Sequence, residues 1–550
     1  MRLLAAKAID AAADIALLDP VPDSDLHANV GAHRRRAWAP ARRRGGRIGV
    51  VRGALALVAI VALLLPTTAA HAEGSHVIYF PWVSNNEVVG GQGPWFSQIT
   101  MRNLTDDTCP VQVYVGGAGG WQKVSQMALA PHGTNMVGAS TLSNQMPGFA
   151  VRMESVCDIV GNVKQTTPSV NRAPWSDGSD VVTGYSGLIQ EEIDAATSTS
   201  TRAWNLPIVQ TNTGWNTLIR VANLRSGGAI TATLELYPGD NAAGSGGASV
   251  TVTQSIPVST SWQFDAAGVL GDSDWVGYAR ITTTGASGVV ARRVKPSTDM
   301  AITNVAVAAD SAAQAAPFRQ AAPLLFVEYN GWNTGINIAN VSNRSTIVTV
   351  RYYAAGSSDG ATRMESLIMP ARSMRYLYTP DTGADAGFVG SATIESDAPV
   401  VASVDEVKYA TGDALSYLVS GHGQQTAAIA TVFKQDELLG RNDNSGINIA
   451  NLDPTQAQIV TVYLQQASGA DVLAEPLQVE IPAGGNAFVY LPQLAEVPAG
   501  VWLGALLTSS NTYGFVAISN DVNYVVPGDG AVVFSITGAS GTYLVQAAQP

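Results

Sequence analysis

Gly356-Ser357-Ser358-Asp359-Gly360 has the G-x-S-x-G spacing that sets a serine nucleophile on a sharp turn between a strand and a helix. Here strand-like alternation flanks the string on both sides, so it reads as a polar loop rather than a nucleophile elbow. A serine also needs a base. After residue 72 histidine occurs only as His76, His132 and His422, each in a different setting. That is too little for a Ser-His-Asp set or a His-rich metal centre. H-E-x-x-H and Walker sequences are absent. Paired carboxylates can divide acid and base work across a glycosidic bond, and the chain offers Glu191-Glu192 and Asp405-Glu406. Strand neighbours point to opposite faces, so Asp405 and Glu406 do not face one substrate and both pairs read as solvated charges. The loops Asp177-Gly178-Ser179-Asp180 and Asp381-Thr382-Gly383-Ala384-Asp385 offer oxygens to Ca²⁺, but neither keeps the EF-hand spacing. Calcium is the one cation with candidate ligands; otherwise no cofactor and no catalytic residue is expected.

Aromatic rings are the next candidates. Trp95, Trp215 and Trp332 each follow a Gly or Pro and stand just before a repeated strand. An indole there stacks on a sugar ring or plugs the end of a core. The fourth copy has Asp443-Asn444-Ser445 where the second and third have Gly-Trp-Asn, which favours the plug. These three are the candidate ligand-binding residues, and Trp82, Trp121 and Trp175 make the first copy richest in aromatic area. Cys109 and Cys157 are the only cysteines. In an oxidising compartment they are expected to form one disulfide.

The elements that carry these residues recur four times. Ile99-Thr100-Met101-Arg102-Asn103-Leu104 returns as Ile219 to Leu224, Ile336 to Val341 and Ile447 to Leu452, with the asparagines 120, 117 and 111 residues apart. Apolar residues alternate with polar or small ones, the period of a strand with one buried face. About thirty residues after each asparagine stands a proline, at Pro131, Pro257, Pro370 and Pro482. Glycine-centred segments follow at Gly148, Gly277, Gly390 and Gly504, and then closing strands at Val160 to Lys164, Ala291 to Lys295, Val404 to Lys408 and Ser519 to Asn523. Seven or eight short strands in about 110 residues match an Ig-like or fibronectin-type sandwich; propeller blades are under half as long. The recurring asparagine is expected to satisfy backbone groups at a turn.

The fold class is therefore all-β, with four tandem β-sandwich repeats at 73–203, 204–322, 323–428 and 429–550. Residues 1–72 form an N-terminal extension and signal peptide. Arginines from Arg34 to Arg52 precede the apolar run Ala54 to Leu65, and Ala70-His71-Ala72 offers a cleavage site. A run of about a dozen residues is shorter than a membrane-spanning helix, so no stable span is expected after cleavage. Removing the leader leaves 21 basic against 38 acidic residues, about −17. Such a charge repels phosphate backbones and argues against nucleic acid as a partner. The joints Gln190 to Ala203, Ala308 to Ala322 and Ser420 to Ala428 read as linkers or domain-edge strands. Their brevity implies an elongated, partly stiff row.

Phe80-Pro81-Trp82-Val83 with Gly93-Pro94-Trp95-Phe96, Leu206-Pro207-Ile208-Val209-Gln210-Thr211-Asn212 with Gly214-Trp215-Asn216-Thr217, and Gly335 to Asn340 resemble uncharacterised secreted bacterial repeat proteins with Ig-like β-sandwich modules. The resemblance spans nearly all of 77 to 545. It implies an extracellular or cell-surface setting and brings no catalytic residues. The expectation is a secreted, non-catalytic structural or adhesive protein whose partners are surface polysaccharide or other surface proteins. A carbohydrate-binding array is the alternative, and an extracellular hydrolase comes last.

Overall fold

The computed structural model describes residues 75–143, 145–168, 180–189, 193, 202–239, 248–271, 274–308, 318–357, 360–421, 423–435, 443–523 and 531–538. The leader, Glu191-Glu192, Ser358, Trp175, His422 and the Asp177 to Ser179 loop lie outside them.

Alternation builds the sandwiches as expected. In Thr346–Ala354 the residues Val348, Val350 and Tyr352 are buried while Ile347 faces out, because successive side chains leave a pleated strand on opposite sides. The third repeat is the plainest copy. One antiparallel sheet runs in the order Phe318–Val327, Phe388–Ser396, Thr346–Ala354, Arg363–Met369. The facing sheet runs Ser373–Tyr378, Asn333–Asn340, Val400–Lys408, Asp413–Leu418. Repeat two has the same plan with a two-residue strand added. In repeats one and four the two halves join into one eight-stranded sheet through the long Gly148–Pro168 and through Thr426–Lys434. At Gly390 a Cβ would strike the carbonyl oxygen of Tyr353 on the paired strand, and at Gly277 that of Tyr237, whereas at Gly148 it would meet the Glu87 and Arg220 side chains and at Gly504 that of Arg102, so each copy leaves no room for a side chain there.

Three sequence expectations change. The closing strand of repeat one aligns three residues later than its pattern suggests: Val163 pairs with Ile99 as Ala291 pairs with Ile219, Val404 with Ile336 and Ser519 with Ile447. The cause is the 21-residue strand Gly148–Pro168, which carries both the glycine segment and the closing segment. Of the two readings of the alanine-rich joints the linker gives way to the strand, for Arg202–Gln210, Phe318–Val327 and Thr426–Lys434 open the later repeats. Ala321, Ala322, Ala427 and Ala428 are accordingly buried.

The third change is the largest: the repeats form a closed ring instead of a row. Their last strands, Asp180–Ser186, Met300–Val305, Asp413–Leu418 and Ala531–Gly538, each pack on the next, and the fourth returns to the first. Cores merge across the joints. Leu218, Val290 and Val294 of repeat two enter the core of repeat one. Trp215, Met300 and Ile302 meet Val407 and Ala414. Ile518 and Val522 join the third core, and Val182 joins the fourth. Residues 71–550 thus make one compact unit. Strands such as Asn444–Asn451 are buried on both faces, one by their own core and one by the preceding repeat, so the sequence alternation does not mark a solvated side.

Candidate functional site

The repeated asparagines are the most regular polar feature. Asn103, Asn223, Asn340 and Asn451 are fully buried. Each Oδ1 accepts from the backbone N–H two residues on, at Thr105, Arg225, Ser342 and Asp453. Each Nδ2 donates to a carbonyl four or five residues on and to the carbonyls of the proline landmark. For Asn223 these are Gly228, Ile256 and Pro257; for Asn451 they are Gln456, Ile481 and Pro482. In repeat one the acceptors are Asp107 and Ala130, the residue before Pro131. The amide pins two turns together, and its full burial puts it out of reach of a ligand.

The densest polar cluster lies between repeats one and two. Both the Arg220 and the Arg292 guanidinium lie over the Trp82 ring, at 4.2 and 4.5 Å, and Arg292 also covers Trp95 at 4.6 Å. Glu87 accepts from the Trp82 indole N–H at 2.8 Å, from the Ser84 hydroxyl at 2.6 Å and from Arg220. Gln165 accepts from Arg292 and donates to the Trp82 carbonyl at 3.0 Å. Burial alone would raise the Glu87 carboxyl, but Arg220 and Arg292 hold it below its ordinary range. Burial lowers Arg292 to about 10, against the pull of Glu87, which leaves it charged near neutrality. Every member of this cluster is buried, so it binds two sandwiches together.

Equivalent positions work at the other joints. Counting from the alignment above, Lys164, Arg292, Asp405 and Asn520 occupy one position, pointing away from their own cores. Lys164 pairs with Asp443 of repeat four, Arg292 with Gln165 of repeat one and Asp405 with Arg293 of repeat two, 2.7 Å between Nη1 and Oδ2. Asn520 instead accepts from Asn448 of its own repeat at 2.9 Å, and the joint to repeat three is apolar there, with Ile518 and Val522 on the same face of the strand entering the third core. Each repeat thus docks its second sheet on the preceding copy, a head-to-tail contact that closes after four steps. The chemistry differs at every joint, which opposes out-of-order docking.

Asp405 and Glu406 do point to opposite faces, but neither is solvated, contrary to their reading as surface charges. Asp405 belongs to the ion pair just described. Glu406 faces the third core, and neither of its carboxylate oxygens has a hydrogen-bond partner. Burial, and next the charge of Asp405, push its carboxyl well above the usual range. The Gly356 to Gly360 string joins strands Thr346–Ala354 and Arg363–Met369, with no helix after it. His132 reaches Asp106 at 2.7 Å on the surface. Among the described residues no three His, Cys, Asp or Glu side chains converge on a metal position; Asp381 and Asp385 are exposed.

Trp95, Trp215 and Trp332 are buried, in the first core, between repeats two and three, and in the third core respectively. None of these three indoles is open to a sugar. Among the described residues the exposed rings are Phe96 at 41%, Tyr376 at 46%, Phe488 at 49% and Tyr409 at 55%, none of them a binding candidate from the sequence. Tyr376 and Tyr378 lie parallel with centroids 6.4 Å apart, and the Lys295 ammonium stands 5.6 Å over Tyr409. Alternate aromatics in Tyr376-Leu377-Tyr378 were the available signal. Cys109 and Cys157 form the expected disulfide, with Cα atoms 5.9 Å apart, tying Cys109–Gly117 to Gly148–Pro168.

No protein-family model matches this chain, and no curated protein matches it as a relative. Its function rests on its own geometry.

Proposed function

We propose that this chain is an exported structural or adhesive protein without catalytic activity, acting as a rigid ring that displays four similar sheets at its rim. One observation carries the reading. Its concentrated charged and aromatic groups, Trp82, Glu87, Arg220, Arg292 and the Arg293–Asp405 pair, are consumed inside joints between repeats. A reaction centre needs such groups at a cleft; a scaffold needs them at its seams. The disulfide accords with an oxidising compartment, and no helix among the described residues is long and apolar enough to cross a membrane. Cell fractionation tests the proposal. The protein is expected in the envelope or the medium, and retention in the cytoplasm overturns it.

Carbohydrate binding is the second reading, and the exposed rings of Tyr376 and Tyr409 favour it over the tryptophans. Retention on a polysaccharide that is lost in Tyr376→Ala and Tyr409→Ala supports it. Unchanged retention in both variants, or none in the wild type, removes it.

A further inference from the structure

We propose that the protein forms a two-fold dimer by pairing the free edge strand Arg363–Met369 with the same strand of a second copy. This strand ends its sheet, so one side of its backbone has no ladder partner among the described strands. Its outward residues are Met364, Ser366 and Ile368. Ile368 is 79% exposed and Met364 56%, and Ile347, directly opposite Ile368 on the neighbouring strand, is 54% exposed.

The other three repeats supply an internal comparison. In the same register the position of Ile368 is held by Ala128, Ser255 and Glu480, and that of Met364 by Thr251 in repeat two. Edge strands in folded proteins are commonly blunted by polar or charged side chains. Repeats two and four follow that rule at this position, and the third places its apolar side chains in water instead. Such side chains on an open edge are explained by burial against a partner.

The strand is complementary to itself. Antiparallel pairing about Ser366 matches all seven residues, with Met364 of one copy opposite Ile368 of the other and Ile347 beside each pair. Charge does not oppose it. Although the chain carries a formal net charge of −12, Arg363 pairs with Glu365 within the strand at 3.3 Å, and Glu395 compensates Arg319 at 3.3 Å and Arg351 at 3.5 Å on the same sheet. The edge strand is therefore neutral in itself, and the five groups together carry one net positive charge within an acidic chain. A seven-residue edge pair with its flanking apolar side chains buries on the order of 1,000 Å² in all, the low end for a specific interface. The dimer is thus weak, with a dissociation constant of about 1–100 µM. Because the contact is isologous it closes at two copies and does not propagate.

Sedimentation equilibrium of the full chain across that concentration range tests the proposal, with amide hydrogen exchange as a second measurement. The wild type is expected to pass from monomer to dimer, with amides of residues 363–369 exchanging more slowly at high concentration. Ile368→Lys should weaken the dimer at least tenfold, while Ser255→Lys on the equivalent edge of repeat two leaves it intact. A wild type that stays monomeric throughout overturns the inference. So does a dimer that survives Ile368→Lys, since association then uses another surface. Unchanged melting of the Ile368→Lys variant shows that lost association is not lost folding.

Discussion

The side-chain amide of Asn340 donates to the carbonyl oxygen of Pro370 at 2.7 Å. Two landmarks that recur along the chain, an asparagine and a proline about thirty residues later, are thus one hydrogen-bonded unit in repeats two to four, and in repeat one the bond goes to Ala130 beside the proline. The same amide also reaches the carbonyls of Arg344 and Met369, while its oxygen accepts from the Ser342 N–H.

Removing that side chain leaves several buried backbone groups without partners, at about 1 kcal/mol or more each. Asn340→Ala is therefore expected to destabilise the protein by about 3 kcal/mol in urea unfolding. A loss below about 1 kcal/mol would mean that water or neighbours replace the amide.

Asp405 is held by two hydrogen bonds from Arg293 and one from Asn337, the last at 2.9 Å. Burial raises its carboxyl, but the Arg293 charge and these bonds outweigh burial and leave it low. Arg293→Met strands a buried charge, at an expected cost of about 3–5 kcal/mol. Adding Asp405→Asn should recover at least half of the loss, because a neutral amide oxygen still accepts from Asn337. Additive losses in the double variant would count against the ion pair as the seam between repeats two and three.

Glu406 titrates in the opposite sense. Its folded carboxyl lies well above 4.5, so the folded protein keeps a proton that the unfolded chain releases above that pH. Stability from this group is full below pH 4.5 and declines as pH rises towards the folded value. Glu406→Gln should remove that decline and leave the protein more stable than wild type between pH 6 and 8 in thermal melts. Parallel stability curves for the two proteins would show that the carboxyl has found a partner or ionises normally.

The Cys109–Cys157 bond closes a segment with a sequence separation of 48. Cys109→Ser with Cys157→Ser is expected to cost about 2–4 kcal/mol. Reductant should lower the wild-type melting temperature to that of the double variant and leave the variant unmoved. Equal melting with and without reductant would mean that the bond contributes nothing to stability.

The sandwiches were legible because their signals are local. Val348, Val350 and Tyr352 alternate within one strand, and the asparagine and proline landmarks recur with nearly constant spacing. Asn223 and Asn451 were readable as turn residues for the same reason, since their acceptors lie on adjacent turns. The tryptophans were legible as plugs at strand ends, but not the neighbours that bury them. What covers Trp95 is Arg292, almost two hundred positions away in the chain.

From its sequence alone this protein is an all-β chain of four copies of one sandwich, because a period of two and recurring turn residues are written into neighbouring positions. That the copies close into a ring was decided only in three dimensions. The contacts that close it, such as Lys164 with Asp443 and Asn162 with Thr431, join residues 279 and 269 positions apart. A strand buried on both faces carries the same alternation as one buried on a single face, so the pattern cannot say what lies on its second side.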